Sequence, residues 1–329
     1  MRPDVAQLVL AAHSRIHDSI VETPLEEVSG LFPKASAHIL LKLENLQETG
    51  SFKLRGATNK ILSLTPAQAA AGVIAASNGN HGLGVAAAAK RAGISAEVYV
   101  SSHVSPGKAK RIEQLGAKLH RAGDDPLTAE LAARSAAERS GQVFISPYND
   151  MEVLAGQGTI AVELLHRLPK IDAVFVAVGG GGLIGGIGAY LKHASPATEV
   201  VGCWPQNSPV LYESIRAGRI IDVPEQPTLS ESTAGGLEPD SITLEVCRRV
   251  IDRSVLVNEE EILAAMRRVY QAKGWMIEGA AGVALAACAR EAERYKDKTV
   301  VIVICGGNLS EGVRARLEGL KTVIADSRE

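Results

Sequence analysis

Short, uniformly apolar runs alternate along this chain with longer, alanine-rich stretches of helical character. The run 73–77 precedes a helical stretch from His81 to Gly93, and 96–100 precedes one that opens at Pro106. The run 117–122 leads into the helical segment Thr128 to Gly141, and 142–146 closes this group. Later come 173–178, 199–204 and 299–305, each beside helical sequence. Strands separated by helices of roughly ten to fifteen residues predict βαβ units and a parallel sheet. The runs are apolar throughout instead of alternating, as expected of strands covered by helices on both faces. Ahead of them, Val5 to Ala12 reads as an amphipathic helix, because Asp4 and Gln7 spoil it as a signal sequence. No repeat of fixed period and no low-complexity linker interrupts the pattern. The expected fold class is therefore α/β in two lobes. Residues 45–148 form the smaller lobe, and 1–44 with 149–329 form the larger.

One segment imitates a membrane span. Ala173 to Leu191 is 19 residues without a charge, but seven of them are glycine and four of those are consecutive. A buried strand, a glycine loop and a helix account for it without leaving backbone groups unsatisfied in lipid. The net charge of −2 gives no electrostatic footprint for nucleic acid or an anionic membrane. Cys203, Cys247, Cys288 and Cys305 are scattered without a CxxC pair. That spacing argues against a zinc site or a disulfide framework and predicts a reducing, cytoplasmic setting.

Candidate chemistry gathers at the ends of the predicted strands. The run 173–178 enters Gly179-Gly180-Gly181-Gly182-Leu183 and then a helix. Successive glycines let backbone N–H groups converge and the helix dipole adds positive potential, which suits a phosphate. Four glycines in a row exceed what a tight turn needs. The loop also contains GxGxxG at Gly180, Gly182 and Gly185, the rival mark of a dinucleotide fold. That fold wants an acidic residue about 20 positions on, whereas here Glu199 stands at the wrong end of the next strand.

Ser77-Asn78-Gly79-Asn80-His81-Gly82 follows a strand at the edge where open α/β sheets bind ligands. Its amides, hydroxyl and N–H groups suit a carboxylate or a phenolic oxygen, although Asn-Gly is also a plain turn former. Cys305-Gly306-Gly307-Asn308 ends another apolar run; Cys305 there can meet a ring nitrogen or be only a buried thiol. His13 and His17 lie one helical turn apart with no third ligand nearby, and read as a solvated helix face. Lys53, in Ser51-Phe52-Lys53-Leu54-Arg55, opens a helix where partial positive charge disfavours a cation. It is either a solvated surface lysine or one kept neutral, or turned into an imine, because its amine is the working part.

Taken in order, 51–57 (SFKLRGA), 77–82 (SNGNHG), 155–159 (AGQGT), 178–183 (VGGGGL) and 305–308 (CGGN) resemble the motifs of fold-type II pyridoxal-phosphate enzymes. The resemblance is to the serine/threonine dehydratase family and runs from Thr23 to Asn308. It implies a fold similar to tryptophan synthase β, with open, twisted, mostly parallel sheets flanked by helices. It implies that Lys53 forms the Schiff base with pyridoxal 5'-phosphate, that Phe52 packs beside the ring and that Asn80 meets its 3′ oxygen. Gly179, Gly180, Gly181, Gly182 and Leu183 would hold the phosphate. Cys305, where many relatives have serine, would face the pyridine nitrogen, and Glu278 would face the cofactor. Ser77, Asn78, Gly79, Asn80 and His81 would hold the substrate carboxylate as their lobe closes. The implied reaction removes water from L-threonine or L-serine to give a 2-oxo acid and ammonia, in a homodimer. Retention of Lys53 argues against a binding protein without turnover.

Departures from the family pattern sharpen these expectations. Asn78 replaces the second serine with which serine racemases protonate the opposite face, so racemisation is not expected. The segment Trp204 to Val210 lacks the carboxylates of their divalent-cation site, so no metal is expected. The sequence runs only about twenty residues past Asn308, so neither the regulatory domain of biosynthetic threonine dehydratases nor isoleucine feedback is expected. Ser230 to Glu238 and Trp204-Pro205 resemble the dehydratases of hydroxyectoine breakdown, which makes a specialised β-hydroxy amino acid the alternative substrate.

Overall fold

The computed structural model describes residues 4–28, 31–32 and 36–325. Among them, ten strands form two sheets. The strands are β1 (Leu25–Glu27), β2 (His38–Lys42), β3 (Val73–Ala76), β4 (Ala96–Val100), β5 (Lys118–Arg121), β6 (Val143–Phe144), β7 (Ala173–Ala177), β8 (Glu199–Pro205), β9 (Arg253–Val257) and β10 (Thr299–Val303). The larger sheet runs β1-β2-β10-β7-β8-β9 and the smaller β5-β4-β3-β6. All pairs are parallel except β1 with β2.

The apolar runs become buried strands for the reason their composition gives. Every residue of β7 is buried, and Val301, Ile302 and Val303 of β10 are fully covered. Each such side chain contributes about 1.5–3 kcal/mol relative to exposure. Val174, Phe175 and Ile302 belong to one apolar core, while Val73, Val98 and Val100 belong to a second around the smaller sheet. Helices cover both sheets, and their starts are written locally. Asp125 accepts from the Thr128 N–H ahead of helix Pro126–Ser140, and Asp150 accepts from Glu152 and Val153 ahead of helix Met151–Arg167.

Three helices meet backbone to backbone. A Cβ added at Gly156 would lie 2.7 Å from the Arg55 carbonyl oxygen and 2.7 Å from Gly56 Cα. One at Gly186 would lie 2.2 Å from the Leu154 oxygen. Helices Lys53–Leu62 and Gly182–Ala194 therefore press on opposite parts of helix Met151–Arg167, which gives the motif at 155–159 a packing role.

The sequence pattern differs from the structure in a few elements. The run 142–146 keeps only β6 as a strand, because Pro147 has no N–H to extend a ladder and Ser146 turns to accept from the Asn149 N–H (3.0 Å). Strands β1, β2 and β9 were not among the predicted elements. They are short, and charged residues such as Glu26, Lys42 and Arg253 break up their apolar pattern.

Candidate active site

Four segments converge where parallel strands end. The glycine loop leaves β7, Cys305 follows β10, the 77–82 loop leaves β3, and Pro147-Tyr148 follows β6. This carboxyl edge is where open α/β sheets bind ligands. A cavity of about 700 Å³ opens there, lined by Phe52, Lys53, Asn80, Gly179, Gly180, Gly181, Gly182, Leu183, Glu278 and Cys305. Its size lies within the roughly 300–1,000 Å³ of small-molecule and cofactor sites.

Lys53 is placed by its neighbours in the chain. The Ser51 backbone bridges Gly306 antiparallel, and the Phe52 N–H donates to the Cys305 carbonyl (3.0 Å). The helix then begins at Lys53 with no side-chain cap. The Lys53 Nζ donates to the Pro147 carbonyl (2.8 Å) and sits 5.1 Å from the Phe52 ring centre. Burial brings its pKa down to about 8, against the opposing pull of Glu278 and Cys305. A lysine at this pKa is neutral far more often near physiological pH than a free one at 10.5, which is what a nucleophilic amine needs.

Opposite Lys53, the Asn80 Nδ2 donates to Glu278 Oε2 (2.8 Å), and its Oδ1 accepts from Asn308 (2.7 Å). Both ends of the Asn80 amide are thus held, its oxygen by Asn308 and one N–H by Glu278, and the residue lines the cavity. Ser232 Oγ donates to Glu278 Oε1 (3.0 Å), and the Cys305 Sγ lies 3.7 Å from that same oxygen. Burial pushes the Glu278 carboxyl up. Burial, and then the neighbouring Glu278, push the Cys305 thiol well above its usual range, so it stays a thiol. Such a group donates weakly and carries no charge.

The glycine loop forms the third wall. Gly181 has φ +85°, open to glycine at little cost, and caps helix Gly182–Ala194. A Cβ at Gly180 would come within 2.4 Å of the Tyr148 ring. The first N–H groups of this helix have no intrahelical partner and point along the positive end of its dipole.

The 77–82 loop divides. Asn80 lines the cavity, whereas Ser77, Asn78, Gly79 and His81 do not. The Asn78 amide is committed to Ser101, donating to its Oγ (2.8 Å) and accepting from its N–H (2.8 Å). His81 is buried with Nε2 2.8 Å from the Ile145 oxygen, and burial followed by the Lys53 charge lowers its pKa to about 3. It is neutral at working pH.

Sequence reasoning singled out the segment 230–238 of the opposite rim without giving its residues a role, and missed Tyr148 and Arg134. Tyr148, Arg134, Ser232 and Glu238 also line the cavity. Arg134 pairs with Glu238 (2.7 Å), Asn149 donates to Glu238 (2.9 Å), and the Tyr148 hydroxyl accepts from the Glu238 N–H (3.0 Å). For Tyr148, the position of Pro147-Tyr148 just past a strand was the available signal. Arg134 lies inside a helix that pattern alone marks as surface. Among the described residues, no group of three or more His, Cys, Asp or Glu is placed to hold a metal ion. No helix among them is long and apolar enough to cross a membrane.

The donor set fits pyridoxal phosphate. An amine can meet its aldehyde, an amide its phenolic oxygen, a neutral thiol its ring nitrogen, and a glycine-rich helix N-terminus its phosphate. Comparison with known proteins agrees. The chain is 39% identical over 306 residues to the L-threonine ammonia-lyase of Thermotoga maritima, covering 93% of this chain and 76% of that one. It is 34% identical to the catabolic L-threonine dehydratase of Escherichia coli K12, covering 92% of each. Threonine deaminase isoform 2 from Solanum lycopersicum superposes with a TM-score of 0.91 at 30% identity, over 97% of this chain and 94% of that one. The pattern of the family described as "Pyridoxal-phosphate dependent enzyme" matches residues 16–306, and to that family this chain belongs.

Proposed function

We propose that this enzyme is an ammonia-lyase that removes water from a β-hydroxy amino acid such as L-threonine or L-serine and yields a 2-oxo acid and ammonia. The observation that carries the reading is the convergence of the Lys53 amine, the Asn80 amide, the glycine loop and the Cys305 thiol on one cavity. The names of the relatives support the substrate class.

Pyridoxal phosphate, once bound, supplies the electron sink for bond breaking at an amino acid's α-carbon. Lys53 holds the cofactor and, as a neutral amine, takes the α-proton. Phe52 and Asn80 fix the ring, Gly179 to Gly182 with Leu183 hold the phosphate, and Glu278 anchors Asn80 and Ser232. Cys305 would stand at the ring nitrogen as an uncharged thiol too weak an acid to protonate it, a setting that suits loss of the β-hydroxyl. The α-proton taken by Lys53 and the β-hydroxyl together make up the water that is lost, and a second water, added to the released enamine, gives the oxo acid and ammonia. The 77–81 loop receives the substrate carboxylate as the smaller lobe, 45–148, closes on the larger. A homodimer in the cytoplasm is the setting we propose. The Ser230–Glu238 segment borders the cavity and resembles hydroxyectoine-breakdown dehydratases, which favours a specialised β-hydroxy amino acid as the second reading.

The test is direct. The purified protein is expected to be yellow, to release 2-oxo acid from L-threonine or L-serine, and to lose its covalent cofactor link in Lys53→Ala. A colourless protein that binds a nicotinamide dinucleotide instead would overturn the reading. Turnover confined to a larger β-hydroxy amino acid would select the second.

A further inference from the structure

Behind the helix that begins at Lys53 lies a cluster of buried charges that the proposed reaction does not use. Arg55 and Glu44 are 0% exposed, Lys42 1% and Glu163 3%. The Arg55 Nε and Nη2 donate to the two oxygens of Glu44 (2.7 and 2.8 Å). Its Nη1 and Nη2 donate to the two oxygens of Glu163 (2.5 and 2.9 Å), and Nη1 also to Thr159 Oγ1 (3.1 Å). The fork's full set of five donors is thereby engaged. The Lys42 Nζ donates to Glu163 (2.5 Å) and to the Thr23 carbonyl (2.7 Å), and Thr23 Oγ1 donates to Glu44 (2.5 Å). Two cations face two carboxylates, so the cluster is neutral.

Desolvating four charges is costly, and buried ion pairs are often no more stabilising than apolar residues in their place. What this cluster does supply is geometry. It ties the end of β2 and the turn after it (Lys42, Glu44) and helix Met151–Arg167 (Thr159, Glu163) to the first turn of helix Lys53–Leu62 (Arg55). Arg55 stands two positions after Lys53, about 200° around a helix. The clasp thus grips the back of the turn whose front carries the amine, at a helix start that has no side-chain cap.

We propose that Arg55 is a positioning residue: its clasp on Glu44 and Glu163 fixes the turn that aims the Lys53 amine. The proposal rests on the reading of Lys53 as the amine that binds pyridoxal phosphate and moves the α-proton. Proton transfer needs the amine within a few tenths of an ångström of its place, whereas ground-state binding tolerates more. Loosening the clasp therefore lowers kcat more than it raises KM.

The test uses the holoenzyme. Arg55→Lys keeps one charge but cannot span two carboxylates. Arg55→Met combined with Glu44→Gln removes one charge of each sign and leaves the Lys42–Glu163 pair balanced; it decides the matter where the single variant does not fold. Thermal unfolding checks the fold, and borohydride reduction followed by mass analysis of the Lys53 peptide reads the covalent link. In the folded variant the Lys53 peptide is expected to be tagged, with kcat for L-threonine at least about tenfold lower, 1.4 kcal/mol in the barrier. KM is expected to stay within about threefold, and the pH at which the lysine-linked absorbance band titrates is expected to move. A folded variant with kcat within about twofold of the parent, or activity that falls only with the folded fraction, overturns the proposal. An untagged Lys53 in the parent protein refutes the underlying reading instead, and the two failures are thereby told apart.

Discussion

Lys53 shows how one residue's surroundings set its chemistry. Its folded pKa of about 8 lies below the unfolded lysine value of 10.5 because burial disfavours the charged amine. Capture of pyridoxal phosphate by the cofactor-free protein is therefore expected to quicken as pH rises and to level off above pH 8, as stopped-flow absorbance would show. The sign for stability follows the same inequality. Between pH 8 and 10.5 the unfolded chain holds the proton that the folded one has shed, so the cofactor-free protein gains stability with rising pH, and Lys53→Met abolishes that gain. His81, neutral down to about pH 3, contributes no inflection to activity in the range where a free histidine would. Asn78, tied to Ser101 through both ends of its amide, is no proton donor to a substrate face. With L-serine in deuterated water, pyruvate is expected to form well ahead of D-serine, and the reverse order would defeat that argument. Lys53, Asn80, the glycines and Cys305, which line the cavity, were legible through the order of their motifs, since singly each also reads as a surface lysine, a turn or a buried thiol. Tyr148, Arg134 and the role of Ser232 were not, because only long-range topology carries them to the same cavity.

At the scale of elements, the close contact among three helices is the most sensitive joint. Gly156→Ala would drive a methyl group to 2.7 Å from backbone atoms of the neighbouring helix, and backbone cannot swing aside as a side chain does. The expected cost is about 1–3 kcal/mol of stability, with cofactor occupancy falling as the Lys53 helix is displaced. Urea unfolding and the ratio of visible to ultraviolet absorbance measure the two effects; an unchanged midpoint would show that the helices part more easily than their geometry implies. The strands at the heart of each sheet could be read from their apolar runs, since burial on both faces leaves an unmistakable composition in β7 and β10. Edge strands such as β1 and β9 could not, because partial exposure admits charged residues and erases the contrast with loops.

Across the whole molecule, one apolar core builds around the larger sheet and another around the smaller, and polar contacts such as Arg134–Glu238 join residues of the cavity rim. Helix Lys53–Leu62 is packed and clasped onto helix Met151–Arg167, so the motion we propose is confined to the part of the smaller lobe that meets the larger one only through polar contacts at the cavity rim. Adding a non-eliminating amino acid to the holoenzyme is therefore expected to slow hydrogen exchange in β3, β4 and helix Asn80–Ala92 while β7 and β10 stay unchanged. Equal responses in both sheets would indicate a rigid body instead.

The placement of β10 has a consequence for how the polypeptide is made. It is the last of the ten strands in the chain, yet it lies in the middle of the larger sheet, hydrogen-bonded to β2 on one side and β7 on the other. As the chain emerges from the ribosome, β2 and β7 must wait with an open edge each, and open edges recruit other chains. Cys305, just beyond β10, provides the carbonyl that receives the Phe52 N–H, so the turn holding Lys53 reaches its final place at the same late moment. Vitamin uptake therefore belongs to the finished chain, and the interval before β10 arrives is when a chaperone that shields strand edges matters most.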